Sequence, residues 1–210
     1  MRSGMTTCAL LASLALVAPA LAYDQTWYRA AGWSGEYPGG FTLTADARVM
    51  IRDAPDRDAP QAIACDLKAK ATYHPWNEVR VKSDHLEFLS YSKIVPFAVK
   101  TPFVADVTSD PGNNDSRLKL KKGDRWNYLV YGAEGMFVME YRGKRYSAGQ
   151  ELIDNSEALD QAAADTPQDE WLGLTCANGT RGWILRSDVA GTEPFTSPNI
   201  TEYGRAEDAP

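Results

Sequence analysis

The sequence predicts a mainly β protein, on three observations. Turn signals recur at short intervals, apolar and polar residues alternate in brief runs, and helical periodicity is almost absent. The 210 residues are 44% hydrophobic and 24% charged, the composition of an ordinary folded chain rather than of a disordered, collagenous or membrane-spanning one. A formal charge of −6, with no Lys/Arg run longer than Lys121-Lys122, argues against nucleic-acid binding, which needs a basic stripe to displace counterions from phosphates.

Residues 1–22 read as a secretory leader. Arg2 supplies the positive start, residues 9–17 the apolar stretch, and Ala20-Leu21-Ala22 the small side chains that a leader peptidase accepts, so cleavage is expected before Tyr23. The apolar stretch is too short to span a bilayer core of roughly 30 Å, and membrane insertion is not expected. Cys8 precedes that stretch instead of marking the cut, which argues against a lipid anchor. Removing 22 of the 210 residues, Arg2 among them, leaves 188 with a charge of −7 and two cysteines, Cys65 and Cys176. In a periplasmic or extracellular compartment this pair is expected to bridge, tying the two halves of the chain together with about 4–5 kcal/mol of loop-closure stabilisation. The alternative is two buried thiols acting as small hydrophobes.

Along the first half, residues 41–44 alternate and residues 48–51 are apolar and β-branched, followed by a polar loop of Asp, Arg and Pro at 55–60. Val79 and Val81 alternate with Arg80 and Lys82, the pattern of a strand with one wet face. Residues 86–99 are rich in aromatic and β-branched types, with Pro96 marking an edge or a bulge. The Asp-Pro-Gly-Asn-Asn-Asp-Ser stretch at 110–116 has loop composition. It is read as the boundary between an N-terminal β domain at 23–108 and a C-terminal one at 109–190.

In the second half, Leu118 and Leu120 alternate with lysines before a turn at 121–124 and an apolar run at 126–131. A hairpin loop at 132–135 leads into residues 136–141, apolar on both faces and therefore expected to be a central strand. Residues 142–144 turn the chain again toward Tyr146. Asp154 with Glu157 imitates a capping box, and residues 156–164 read as the one helix of the mature chain, stopped by Pro167. Leu172, Leu174 and Cys176 share one face of a strand, Asn178-Gly179 suits a type I′ turn, and residues 181–185 return as its partner. The polar, proline-containing stretch at 191–210 is expected to be a mobile tail.

The closing segment, with Trp171, Gly179, Gly182, Trp183, Ile184 and Val189, resembles the end of a bacterial SH3-like (SH3b) domain. Residues 49–55, reading Val-Met-Ile-Arg-Asp-Ala-Pro, are similar to that family's opening strand and RT-type loop. The resemblance implies one or two small SH3-like barrels in an exported bacterial protein. It also implies a non-catalytic module that binds a cell-wall peptide or glycan in a groove lined by Tyr146, Trp171 and Trp183. A single mixed β domain is the competing architecture.

The residues that could carry chemistry are few. His74 and His85 are the only histidines, and no Gly-x-Ser-x-Gly elbow, His-Glu-x-x-His motif or phosphate-cradling Gly-rich loop occurs, so neither catalysis nor a cofactor is expected. Tyr73, His74 and Trp76 fall within six residues and could line a ligand cleft, or sit in a turn at Pro75 whose rings cap the core. Asp84-His85 is either an oriented imidazole or a solvated strand end. Asp53, Asp56 and Asp58 lack the spacing that wraps a calcium ion, and no metal is expected. Trp27, Tyr28, Trp33 and Tyr37 crowd the mature N-terminus, as a covering arm or as an aromatic platform. The expected partner is a cell-wall fragment or a periplasmic protein. The second reading is an inhibitor or immunity protein whose negative charge speeds encounter with a basic exported enzyme or toxin, and the third and least favoured is an enzyme using His74 or His85.

Overall fold

The structure, a computed structural model, describes residues 22–32, 40–73, 87–112, 114–197, 200–201 and 205–206. The strands are β1 (Trp27–Ala31), β2 (Phe41–Leu43), β3 (Ala47–Ile51), β4 (Ile63–Leu67), β5 (Thr72–Tyr73), β6 (Glu87–Lys93), β7 (Val95–Val99), β8 (Phe103–Asp110), β9 (Asp115–Leu120), β10 (Arg125–Tyr131), β11 (Phe137–Tyr141), β12 (Lys144–Ala148), β13 (Ser156–Ala158), β14 (Asp169–Thr175), β15 (Arg181–Leu185) and β16 (Phe195–Thr196). Three one-turn helices, α1 (Glu151–Asp154), α2 (Gln161–Ala164) and α3 (Arg186–Val189), interrupt them. The mainly β class is as predicted.

The apolar run at 86–99 builds two sheets rather than one strand. Its first part, β6, lies in a four-stranded sheet of order β1-β6-β14-β15, and its second, β7, in a seven-stranded sheet of order β13-β7-β10-β11-β12-β8-β9. Only Ile94 separates them, and Pro96, which has no N–H to give to a ladder, sits just past the switch. Everything from β7 to β13 is thus inserted between β6 and β14, which are direct neighbours with Asp169 opposite Tyr91. The segment expected to divide two halves at 110–116 is instead the tip of the β8–β9 hairpin, where Thr108 faces Asp115. Asn, Asp, Gly and Pro mark a tight turn as readily as a linker. Among the described residues no sheet closes into a barrel.

Two large clusters form most of the core, the first drawing residues from the four-stranded sheet, the β3–β4 pair and β2, and the second from the seven-stranded sheet. One cluster joins Leu43, Ile51, Leu67, Leu172, Leu174 and Ile184; the other joins Phe97, Trp126, Phe137, Met139, Tyr141 and Leu152. The Cys65–Cys176 disulfide lies inside the first, linking β4 to the end of β14 across 111 positions with a Cα–Cα distance of 5.2 Å. The β3–β4 hairpin reaches the first sheet through an antiparallel bridge, Arg52 N–H donating to the Trp183 carbonyl at 2.9 Å and Trp183 N–H to the Arg52 carbonyl at 2.7 Å. Gly182 is required at this crossing, because a Cβ there would stand 2.5 Å from the Arg52 carbonyl oxygen.

Local details depart from expectation for identifiable reasons. Residues 156–158 form β13 against β7 instead of opening a helix, and α2 starts only at Gln161, with the Asp160 carboxylate accepting from Ala163 N–H at 3.0 Å. Ser156 is held because its hydroxyl accepts from the buried Trp126 indole N–H at 3.0 Å. At the β14–β15 loop only Gly179 has a positive φ, so the connection is a longer loop with glycine in the left-handed position, not type I′. A two-residue turn with both φ positive occurs at Arg142-Gly143 instead. Of the expected tail, Phe195 is buried against the first core while β16 pairs with β2.

Replacing both Cys65 and Cys176 with Ala is expected to lower unfolding stability by about 2–5 kcal/mol, read as a fall in the urea midpoint under non-reducing conditions. A midpoint unchanged by the double substitution would show that the bridge contributes nothing.

Candidate functional site

A cleft of about 670 Å³ lies where β1 of the first sheet meets β8 to β12 of the second. Its floor follows from strand register. Asn127 on β10 faces Glu140 on β11, Glu140 faces Arg145 on β12, and Arg145 faces Asp110 on β8. Directly opposed residues project from the same face, so these four polar side chains form one row across the sheet. Tyr28 reaches over from β1 and accepts a hydrogen bond from Arg145 Nη1 at 3.0 Å, while the Asp110 carboxylate stands 4.0 Å from the Arg145 guanidinium. Tyr146 lines the same space.

The charges in this lining balance: Asp110 and Glu140 against Lys144 and Arg145. The cleft therefore offers carboxylate and amide acceptors, cationic donors and the Tyr28 phenol, the equipment for holding hydroxyls and amides rather than for a net-charged ligand. Among the described residues no group of His, Cys, Asp and Glu is arranged to hold a metal.

The residues singled out in the sequence do not converge on one place. Tyr146 lines the cleft, and Tyr28 joins it from the N-terminal aromatic group. Trp171 is fully buried: β14 runs between β6 and β15, and Trp171 packs with its cross-strand partners Leu89 and Leu185. It is a core residue, not a groove lining. Trp183 is half-buried with its ring over Gly173, where a Cβ would come within 3.0 Å of it. The backbone of Tyr73 pairs with Phe41 in β5, whereas His74, Trp76 and His85 lie outside the described residues, as do Trp33, Tyr37 and the strand expected around Val79.

Sequence reasoning missed a buried carboxylate network. Asp169, with its side chain 2% exposed, accepts two bonds from the Arg57 guanidinium and one from the Tyr23 hydroxyl at 2.6 Å. The Trp171 indole N–H donates to the same Tyr23 oxygen at 2.8 Å. Burial first, and then the bond to Asp169, push the Tyr23 hydroxyl well above its usual range, so it stays a donor. Nearby, Arg52 lies over the Trp171 ring at 5.4 Å and pairs with Asp188 at 2.6 Å. An Arg in an acidic loop beside Asp56 and Asp58 was the only sign of this network. Nothing in the sequence connects Arg57 to a carboxylate 112 positions away.

No family model, curated protein or solved structure matches this chain.

Trp171→Ala is expected to cost about 3–5 kcal/mol in chemical denaturation. Tyr28→Phe removes a single exposed bond and is expected to cost about 1 kcal/mol or less. The reverse ranking would mean that Trp171 is not a core residue.

Proposed function

We propose that the protein is an exported, non-catalytic binding module whose inter-sheet cleft takes a cell-wall peptide or glycan fragment in the periplasm or outside the cell. The observation that carries this reading is the polar row of Asn127, Glu140, Arg145 and Asp110 beside the Tyr28 phenol. Hydroxyl- and amide-rich ligands are held by such convergent donors and acceptors, while flat rings add contact area at low entropic cost. The hairpin from Trp171 to Leu185, with the turn ending at Val189, supports the same class through its resemblance to SH3b domains. The leader at 1–22 and the Cys65–Cys176 bridge are compatible with an oxidising compartment, and no described helix is long and apolar enough to cross a membrane.

The charge of −7 on the mature chain favours a second reading, an inhibitor or immunity protein that neutralises a basic exported enzyme or toxin. The two readings differ in salt dependence. A charge-balanced cleft loses little affinity when ions screen it, whereas a cationic partner attracted by net charge is released.

The test is a heteronuclear NMR titration of the chain beginning at Tyr23 with soluble fragments of digested peptidoglycan, at low salt and at roughly 0.5 M salt. Shifts centred on β10, β11 and β12 are expected at both, and Arg145→Ala is expected to weaken binding about 5- to 10-fold. The absence of shifts, together with capture of a basic protein that salt releases, would replace this reading with the second.

A further inference from the structure

The expected leader cut and the buried carboxylate meet at one residue. Tyr23, the first residue after that cut, stacks on Tyr91 with ring centroids 3.9 Å apart and meets Trp27 edge-on at 5.1 Å. Its hydroxyl bridges Asp169 and the Trp171 indole. The next residues are tied down separately: Asp24 accepts from Thr26 N–H at 2.8 Å, Ile94 N–H donates to the Thr26 carbonyl at 2.9 Å, and the Lys93 ammonium donates to the Thr26 hydroxyl at 2.7 Å. Within this stretch Tyr23 alone sends a side chain to Asp169.

We propose that cleavage after Ala22 leaves Tyr23 as the terminal anchor of the folded protein, so that a cut even one residue later lowers the stability of the mature chain. The inference rests on the leader reading made above. The step is hydrolysis of the Ala22–Tyr23 amide by a leader peptidase, water supplying hydroxyl to the Ala22 carbonyl carbon and a proton to the departing Tyr23 nitrogen. A cut one residue later keeps the Asp24 turn and β1 but removes the phenol. Asp169 then retains only Arg57, whose side chain is 48% exposed, and the Trp171 N–H loses its acceptor inside the core. A cut one residue earlier only adds Ala22 and leaves the anchor in place.

The test has two arms. The full precursor is expressed with its leader in a bacterial host, and the intact mass of the exported product is measured; a product beginning at Tyr23 is expected. Separately, chains beginning at Tyr23, beginning at Asp24, and beginning at Tyr23 with Tyr23→Phe are melted. Tyr23→Phe keeps the ring and is expected to lower Tm by about 3 °C or more; the chain beginning at Asp24 is expected to fall further or fail to fold. A product beginning at any other residue overturns the proposal, and so do melts of all three chains within about 1 °C of each other. A precursor that stays inside the cell refutes the leader reading itself, an outcome the melts do not share.

Discussion

A carboxylate removed from water must be compensated or it unfolds what surrounds it, and Asp169 is such a group. It opens β14 at the point where the chain returns from the inserted sheet, opposite Tyr91 on β6. Its compensation comes from Arg57, in the loop between β3 and β4, and from Tyr23, four residues ahead of β1. Three segments remote in sequence are thus gathered on one charge. Removing a partner leaves the buried carboxylate less compensated, a cost that water around the half-exposed Arg57 side chain moderates. Asp169 therefore specifies how the segments dock as much as how firmly.

The cleft inherits this arrangement. Its floor belongs to the seven-stranded sheet, whose register fixes the row from Asn127 to Asp110. Its wall belongs to β1, which among the described residues is an edge strand paired with β6. An edge strand held on one side is the part of a sheet most easily detached. β1 is restrained by its five-residue ladder to β6, by the Asp24 turn and the Thr26 contacts to Lys93 and Ile94, and, ahead of these, by the Tyr23 phenol on Asp169. The Tyr28 hydroxyl can meet Arg145 only while β1 stays docked. Site geometry and N-terminal anchoring are links in one mechanical chain.

Local patterns in the sequence were legible where the physics is local. The β10-β11-β12 meander, with turns near 121–124, 132–135 and 142–144, follows from alternation and glycine placement. So do the β14–β15 hairpin and the central position of β11 between β10 and β12. The Cys65–Cys176 disulfide is the pairing expected of the two cysteines that lie outside residues 1–22. What was not legible depends on contacts across the chain. The insertion of β7 to β13 leaves no mark, because the chain enters through a continuous apolar run, and loop-like composition drew the boundary to a hairpin tip. Residues 156–158 carry a helix-cap signature, but pairing with β7 and the indole of Trp126 outweigh it. Of the cleft lining, Tyr146 was singled out as a ring, and that ring packs against the second core; the polar row needed the cross-strand register, and Trp171 reads the same as ligand platform or core until β14 is known to be central.

The Asp169 network adds to the hold of the β6 ladder on β1, and native-state hydrogen exchange of Asp169→Asn tests this most directly. The β1 amides are predicted to exchange about tenfold faster or more than in the unaltered protein, while those of β11 and β12 keep their rates. Unchanged β1 exchange, or acceleration of all strands together, would contradict it.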